Sequence, residues 1–305
     1  MSIYIHNKNL DYILASIFID RLTMRYNPRI NINELFSHPG FNRNEDDVWY
    51  YEDHSRNAAM IWNLMDDLIS QEVVELFIKS EFDNFYPDVF TWLYNLYSDS
   101  NIQYHDIPTI LKEKILYTFK YIRCYHGTRT QNIDLFLSHG IKPFNPNELN
   151  EIASELFIEY TPNLTVEIFQ EVVRGAEEYK IARINGKENG VNLVLSQHIL
   201  VLDGCSHYIE PGSEYIQCIA GNLVKLGFKA NDILSKIGTP FLLVCDIPLK
   251  LIRERALQNL VNQCLYDAFR ELIEDMDDYI PRTGVVIETS VNPQYIKSTI
   301  EVPML

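Results

Sequence analysis

The 305-residue chain is 47% apolar with only 12 glycines and 13 prolines, which excludes a disordered or fibrous protein and suits one large or two ordinary domains. Its net charge of −16 divides evenly: 10 basic and 18 acidic side chains over residues 1–120 and 16 and 24 over 121–305 leave −8 in each part. That acidity argues against non-specific binding to nucleic acid or a membrane surface, both of which need a basic face, and leaves open a basic partner.

The longest apolar runs, such as 241–245, are far too short to cross a bilayer. The N-terminus has no basic region followed by an apolar stretch, so a cytoplasmic protein without membrane contact is expected. Five cysteines (Cys124, Cys205, Cys218, Cys245, Cys264) are odd in number and lack any Cys-x-x-Cys or His-x-x-x-His companion. Neither a disulfide framework nor a metal site is indicated, and the thiols read as small buried hydrophobes.

Leu10, Ile13, Leu14, Ile17, Phe18 and Leu22 recur at three- and four-residue steps, which predicts a helix within 1–27 that stops at Asn27-Pro28. Residues 31–53 are polar and read as irregular. Helices follow over about 56–79 and 87–98. Trp49, Trp62 and Trp92 fall in this part and read as a packed aromatic core rather than a ligand cage. A further helix over 107–121 starts from Asp106 as N-cap before Ile107-Pro108. A boundary near 105–118 follows, with a helical accessory domain over 1–115 and a mixed α/β domain over 116–305.

The second part opens with a strand ending in Tyr125-His126-Gly127-Thr128, then a helix from about Thr130 to His139 and a Gly140-Ile-Lys-Pro143 exit. A polar triplet at such a junction leaves helix-start N–H groups open to a ligand. Residues 146–173 read as two helices, 175–190 as a charged loop, 191–196 as a strand and 212–223 as a helix opened by Pro211-Gly212. The apolar run 240–248, bounded by prolines, is the clearest buried strand. A helix over 251–276 and a strand over 284–289 follow, and Pro293 to Ile296 lead into a last strand. Alternation puts Val286 and Glu288 on one face of the 284–289 strand. The class is α+β.

At Tyr125-His126-Gly127-Thr128, with Ile133, Leu137 and Gly140-Ile-Lys-Pro143 behind it, the sequence resembles the ADP-ribosyltransferase superfamily, and in it the diphtheria-toxin-like branch. The resemblance covers about 119–305. It implies a split β-sandwich that holds NAD, and transfer of ADP-ribose from nicotinamide to a macromolecular acceptor, protein or nucleic acid. His126 would bond a ribose hydroxyl, Gly127 would hold the nicotinamide amide through its backbone, and Thr128 and Arg129 would lie along the ribose and phosphates. The position of the family's stacking aromatic holds Val194-Leu195 before Ser196. Tyr208 and Tyr215 are the available substitutes; Tyr215 is the better placed, on a helix that could face the cleft, with core packing as its alternative, and Tyr208 and Ser196 are taken to line the cofactor. Glu288 is the candidate catalytic carboxylate. Its register against the following Asn292-Pro293 runs a few residues late, and a solvent-facing strand residue is the equal alternative. His139, His198 and His207 show no metal spacing, and Glu210 and Glu214 read as a solvated turn and helix start.

Analogy with families of this layout suggests an intracellular toxin or defence effector, for which a neutralising partner protein is expected. Two other readings stay open. The 283–296 segment also looks like the end of the RNA 2′-phosphotransferase branch, which lacks the glutamate. A degenerate member that only binds a partner is the third.

Overall fold

A computed structural model describes residues 26–41, 45–79, 106–184, 190–202, 206–272 and 283–305, with side chains left out at 180–184. The helix expected within 1–27, the helix expected over 87–98, Trp92 and Cys205 lie outside these residues, the first apart from its last two positions. The described chain is α+β, with helices around an antiparallel sheet.

The sheet is built on two long strands. β2 (Tyr121–Thr130) and β4 (Thr239–Pro248) pair antiparallel over their whole length, from Tyr121 opposite Pro248 to Thr130 opposite Thr239. β1 is Val48–Trp49, β3 Val191–Val194, β5 Gly284–Ile287 and β6 Ile296–Glu301. The order is β5-β3-β2-β4-β6, and β1 adds to β2 in parallel, with Val48 opposite Tyr121.

The alternation of β4 sends Leu243, Cys245 and Ile247 to one apolar core and Leu242 and Val244 to another, as a strand buried on both faces requires. The pairing of β4 with β6 shifts register at Val244/Cys245. The first core also takes Ile122, Cys124, Leu193, Val285 and Ile287; Val73 and Phe77 join it from the helix over 71–79, and three further helices cover it. These are α2 (His54–Met65), α4 (Ile107–Thr118) and α10 (Glu254–Arg270). Ile61, Met65, Leu111 and Ile115 are fully buried there, so helices before the expected boundary share one core with the sheet. Trp49 is buried with its indole N–H 2.9 Å from Asn57 Oδ1, and Trp62 packs edge-on against Phe269. Both are packed aromatic core.

The other helices are α1 (Ile32–Phe36), α3 (Gln71–Lys79), α5 (Asp134–His139), α6 (Pro146–Tyr160), α7 (Val166–Ile184), α8 (Glu214–Lys225) and α9 (Ala230–Lys236). α6 to α9 close around a separate core of Phe157, Phe169, Val172, Tyr215, Ile219 and Leu223.

Several expectations shift. The helix foreseen over 56–79 is two, α2 and α3, broken at 66–70. The 31–53 stretch contains α1 and β1. The 175–190 loop is helical as far as Ile184, because α7 runs through Gly175. Asp106 caps α4 as expected, accepting from Thr109 N–H at 3.3 Å. Gly140 holds φ +78°, and a Cβ there would lie 1.9 Å from Val291 O. The Gly-Ile exit is thus fixed by Ile141 bridging to Val291, an approach that only glycine permits.

Candidate functional site

His126-Gly127-Thr128 lies inside a strand, not at the start of a helix. β4 pairs with β2 through Thr130, and α5 begins only at Asp134. The expected helix-start N–H groups are therefore not beside the triplet; the ladder, a non-local contact, overrides the local junction signal.

What the triplet does have is an open edge. β3 pairs with β2 at a single position, Tyr125 opposite Val194. Among the described residues no strand pairs with that edge beyond Tyr125. Pro240 O accepts from Val302 N–H and Lys120 O from Leu249 N–H. The even residues of β4 therefore turn their backbone toward β6, and the even residues of β2 turn theirs toward β4. Alternation then directs the N–H and C=O of Tyr125, Gly127 and Arg129 to the opposite, open edge.

His126 spans this opening. Its Nδ1 lies 3.0 Å from Asn192 O on β3. A carbonyl only accepts, so Nδ1 carries the proton and Nε2 is left as an acceptor. Burial lowers the imidazole's pKa, and the Asn192 carbonyl works weakly in the other direction. The ring is neutral at pH 7.

Gly127 is covered by the segment after β3. A Cβ on it would meet Ile209 Cγ1 at 3.0 Å, Leu200 Cδ2 at 3.3 Å and Tyr208 Cβ at 3.4 Å. Tyr208 is thus placed against Gly127, and its ring leans on His207 with centroids 4.1 Å apart.

The segment is tied down from outside. Asn27 donates to Ser206 Oγ at 2.7 Å and to Glu210, and Arg29 pairs with Glu210 at 3.0 Å. Glu210 is a half-buried junction rather than the solvated turn expected.

The remaining candidates separate. Arg129, expected along the phosphates, spends its guanidinium on three carbonyls: Nε to Ile237 O at 2.8 Å, Nη1 to Glu210 O at 2.9 Å and Nη2 to Ser235 O at 2.8 Å. It staples α9 to the Tyr208 segment. Thr128 alternates to the face opposite Gly127. Tyr215, expected to face a cleft, is buried in the α6–α9 core with its hydroxyl 2.7 Å from Asn150 Oδ1 and its ring against Phe144. Burial pushes its phenol up to about 12. The apolar face of α8 is the reason: Tyr215, Ile219 and Leu223 all point into that core.

Glu288 follows β5 directly. Val285 and Ile287 are buried and Glu288 is exposed, the face that alternation assigns it. Its carboxylate pairs with Arg253 Nε at 2.5 Å, and β3 stands between β5 and β2, so Glu288 and His126 are not in contact.

A carboxylate that the sequence did not single out does reach the β2/β3 opening. Glu52 accepts from the Tyr125 hydroxyl, from Gln197 N–H at 3.0 Å and from the Ser196 hydroxyl. Beside it Arg123 and Asp246, both fully buried, form a two-point ion pair, Nε–Oδ1 2.5 Å and Nη2–Oδ2 3.3 Å. Tyr50 lies over the guanidinium, 4.9 Å away. Arg123 and Asp246 were legible as one opposite charge in the middle of each of two apolar runs. Glu52 had no such signal, because a lone Glu in a polar stretch reads as solvated.

A cavity of about 220 Å³ lies elsewhere, between Trp49, Arg56, Met60 and Phe119. Among the described residues no cluster of three or more metal-ligating side chains occurs, and no helix is long and apolar enough to cross a membrane. A scan against family models, a search of curated proteins and a search of solved structures each return no match.

Proposed function

We propose that the chain is a mono-ADP-ribosyltransferase that uses NAD as substrate and modifies a protein or nucleic-acid acceptor. The observation that carries this reading is the open strand edge at Gly127, with Tyr208 against Gly127 on one face of the sheet and, by alternation, a neutral His126 on the other, its Nδ1 reaching Asn192 O across the same opening and its Nε2 left as an acceptor. Gly127 offers backbone groups on an open strand edge, the donor and acceptor that a carboxamide needs. Tyr208, whose Cβ lies against Gly127, supplies an aromatic side chain at this point. A ribose hydroxyl suits His126 Nε2. In the reaction the ribosyl C–N bond breaks, its electron pair neutralises the pyridinium nitrogen, and the acceptor's nucleophile bonds to the ribose carbon as it loses a proton. A held leaving group and a fixed ribose lower the cost of the positive charge that develops on the sugar.

The reading is tested with labelled NAD and cell lysate. Label should pass to a macromolecule, be lost in His126→Ala and persist in His139→Ala, since His139 lies on α5 and not on β2 or β3. Labelling that survives His126→Ala overturns the site. Mass spectrometry of the labelled species then identifies the acceptor.

A binding-only protein is the second reading, favoured by Leu200 and Ile209 filling the space over Gly127. Absence of both NAD binding by calorimetry and nicotinamide release would establish it.

A further inference from the structure

We infer that Glu52 is a positioning residue that locks the two walls of the opening together and thereby sets Tyr208 over Gly127. The inference deepens the proposed transferase reading and rests on it for the reaction served; the geometry stands by itself.

The need for such a lock follows from the sheet. Where β2 and β3 meet they share one pair, Tyr125 opposite Val194, so the ladder hardly fixes their spacing. The direction in which the chain leaves β3 at Ser196 is one constraint on Tyr208, beside the Asn27, Arg29 and Arg129 contacts that hold Ser206 and Glu210. Glu52 holds both sides at this point. From β2 it takes the hydroxyl of Tyr125, the residue before His126. From the start of the segment it takes the Ser196 hydroxyl and the Gln197 N–H. Ser196 Oγ in turn accepts from His198 N–H at 3.3 Å, so the grip extends into the turn that carries Leu200. Ser196 is 1% exposed, and its candidate role as a cofactor contact gives way to this one.

Every group presented to Glu52 is a donor. A carboxylate accepts from all three, whereas a glutamine amide or a protonated carboxyl turns one acceptor into a donor that faces another donor. The Tyr125 and Ser196 hydroxyls can rotate; the Gln197 N–H cannot. The charged and titratable groups around Glu52 are Arg123 and Tyr125 from β2, Asp246 from β4 behind Arg123, and Tyr50 from its own segment. His198 turns its ring to the Tyr26 hydroxyl at 2.9 Å. Burial raises the pKa of Glu52, against the pull of its donors and Arg123.

Amide hydrogen exchange on the full chain tests this without relying on activity. In Glu52→Gln, amides of 197–202 and 206–210 should exchange about tenfold or more faster at pH 7, the loss expected of a hydrogen bond to a buried charge. The α6–α9 core should be unchanged. Tyr125→Phe, which keeps the carboxylate and removes one donor, should give a smaller increase and covers the case in which Glu52→Gln does not fold. Equal protection in wild type and variants overturns the lock. Nicotinamide release measured on the same proteins separates the two ideas. An inactive wild type with the expected exchange pattern removes the transferase reading and leaves the lock; an active wild type with unchanged exchange does the reverse.

Discussion

The same strands make both faces of the sheet and each face packs on an apolar core, but one of them also buries polar and charged groups. On one, Ile122, Cys124, Leu243, Cys245 and Ile247 meet α2, α4 and α10 through apolar contact alone. On the other, Arg123, Tyr125 and Asp246 are buried in the same strands and depend on single named partners. Apolar packing is distributed, so one truncation removes a few methylenes and the neighbours close in part. A buried charge has no substitute for its partner, and removing that partner leaves the full desolvation cost. The polar face is thus the one a single substitution breaks most sharply, and it is also the face on which Gly127 and Tyr208 meet.

The largest effect is expected from Asp246→Ala, which strands Arg123 in the interior: a loss of about 3–5 kcal/mol in chemical denaturation. The double change Arg123→Met with Asp246→Leu should recover most of it. If the double variant is as unstable as Asp246→Ala alone, the polar face is not limited by the unpaired charge and the contrast between faces fails.

Leu243→Ala, directly across the sheet, should cost about 2–4 kcal/mol, the ordinary range for a buried leucine, with no change in the pH dependence of stability. Thermal melts across pH sharpen the comparison further. His54 sits beside α10, and burial holds its pKa down at about 4. The unfolded chain binds this proton below about 6.5, so the native state loses stability as pH falls from about 6.5 to about 4 and the loss levels off below that. His54→Gln should flatten the curve in this window. The smallest effect belongs to Arg253→Ala, which breaks the exposed pair with Glu288 and should change stability by less than about 1 kcal/mol.

Elements specified by neighbours in the chain were legible. Asp106 before Ile107-Pro108 marks the start of α4 because a side-chain acceptor and a proline both suit a helix's first turn. The apolar run 241–245 between prolines marks β4. Gly140 marks a turn with positive φ. The failures have a common cause. His126-Gly127-Thr128 looked like a strand end because a helix follows soon after, but pairing with β4 carries the strand on to Thr130. Tyr215 looked available to a cleft because its helix is amphipathic, and the apolar stripe says only that one side is buried, not against which core. Gly175 suggested a loop, yet α7 passes through it.

By itself the sequence determined an α+β chain, the positions of its best-marked helices and strands, the alternation that puts Glu288 on one face with Val286, and a His-Gly-Thr triplet worth attention. Periodicity, caps and turn residues act within a few positions, so a reader of the chain can recover them. Only the tertiary structure decided that Gly127 lies on an open strand edge under Tyr208, that Arg129 is a staple and that Glu52 reaches Tyr125 and Ser196. These depend on groups 73 and 145 residues apart meeting, and the hydrogen bonds that join them leave no periodic trace along the chain.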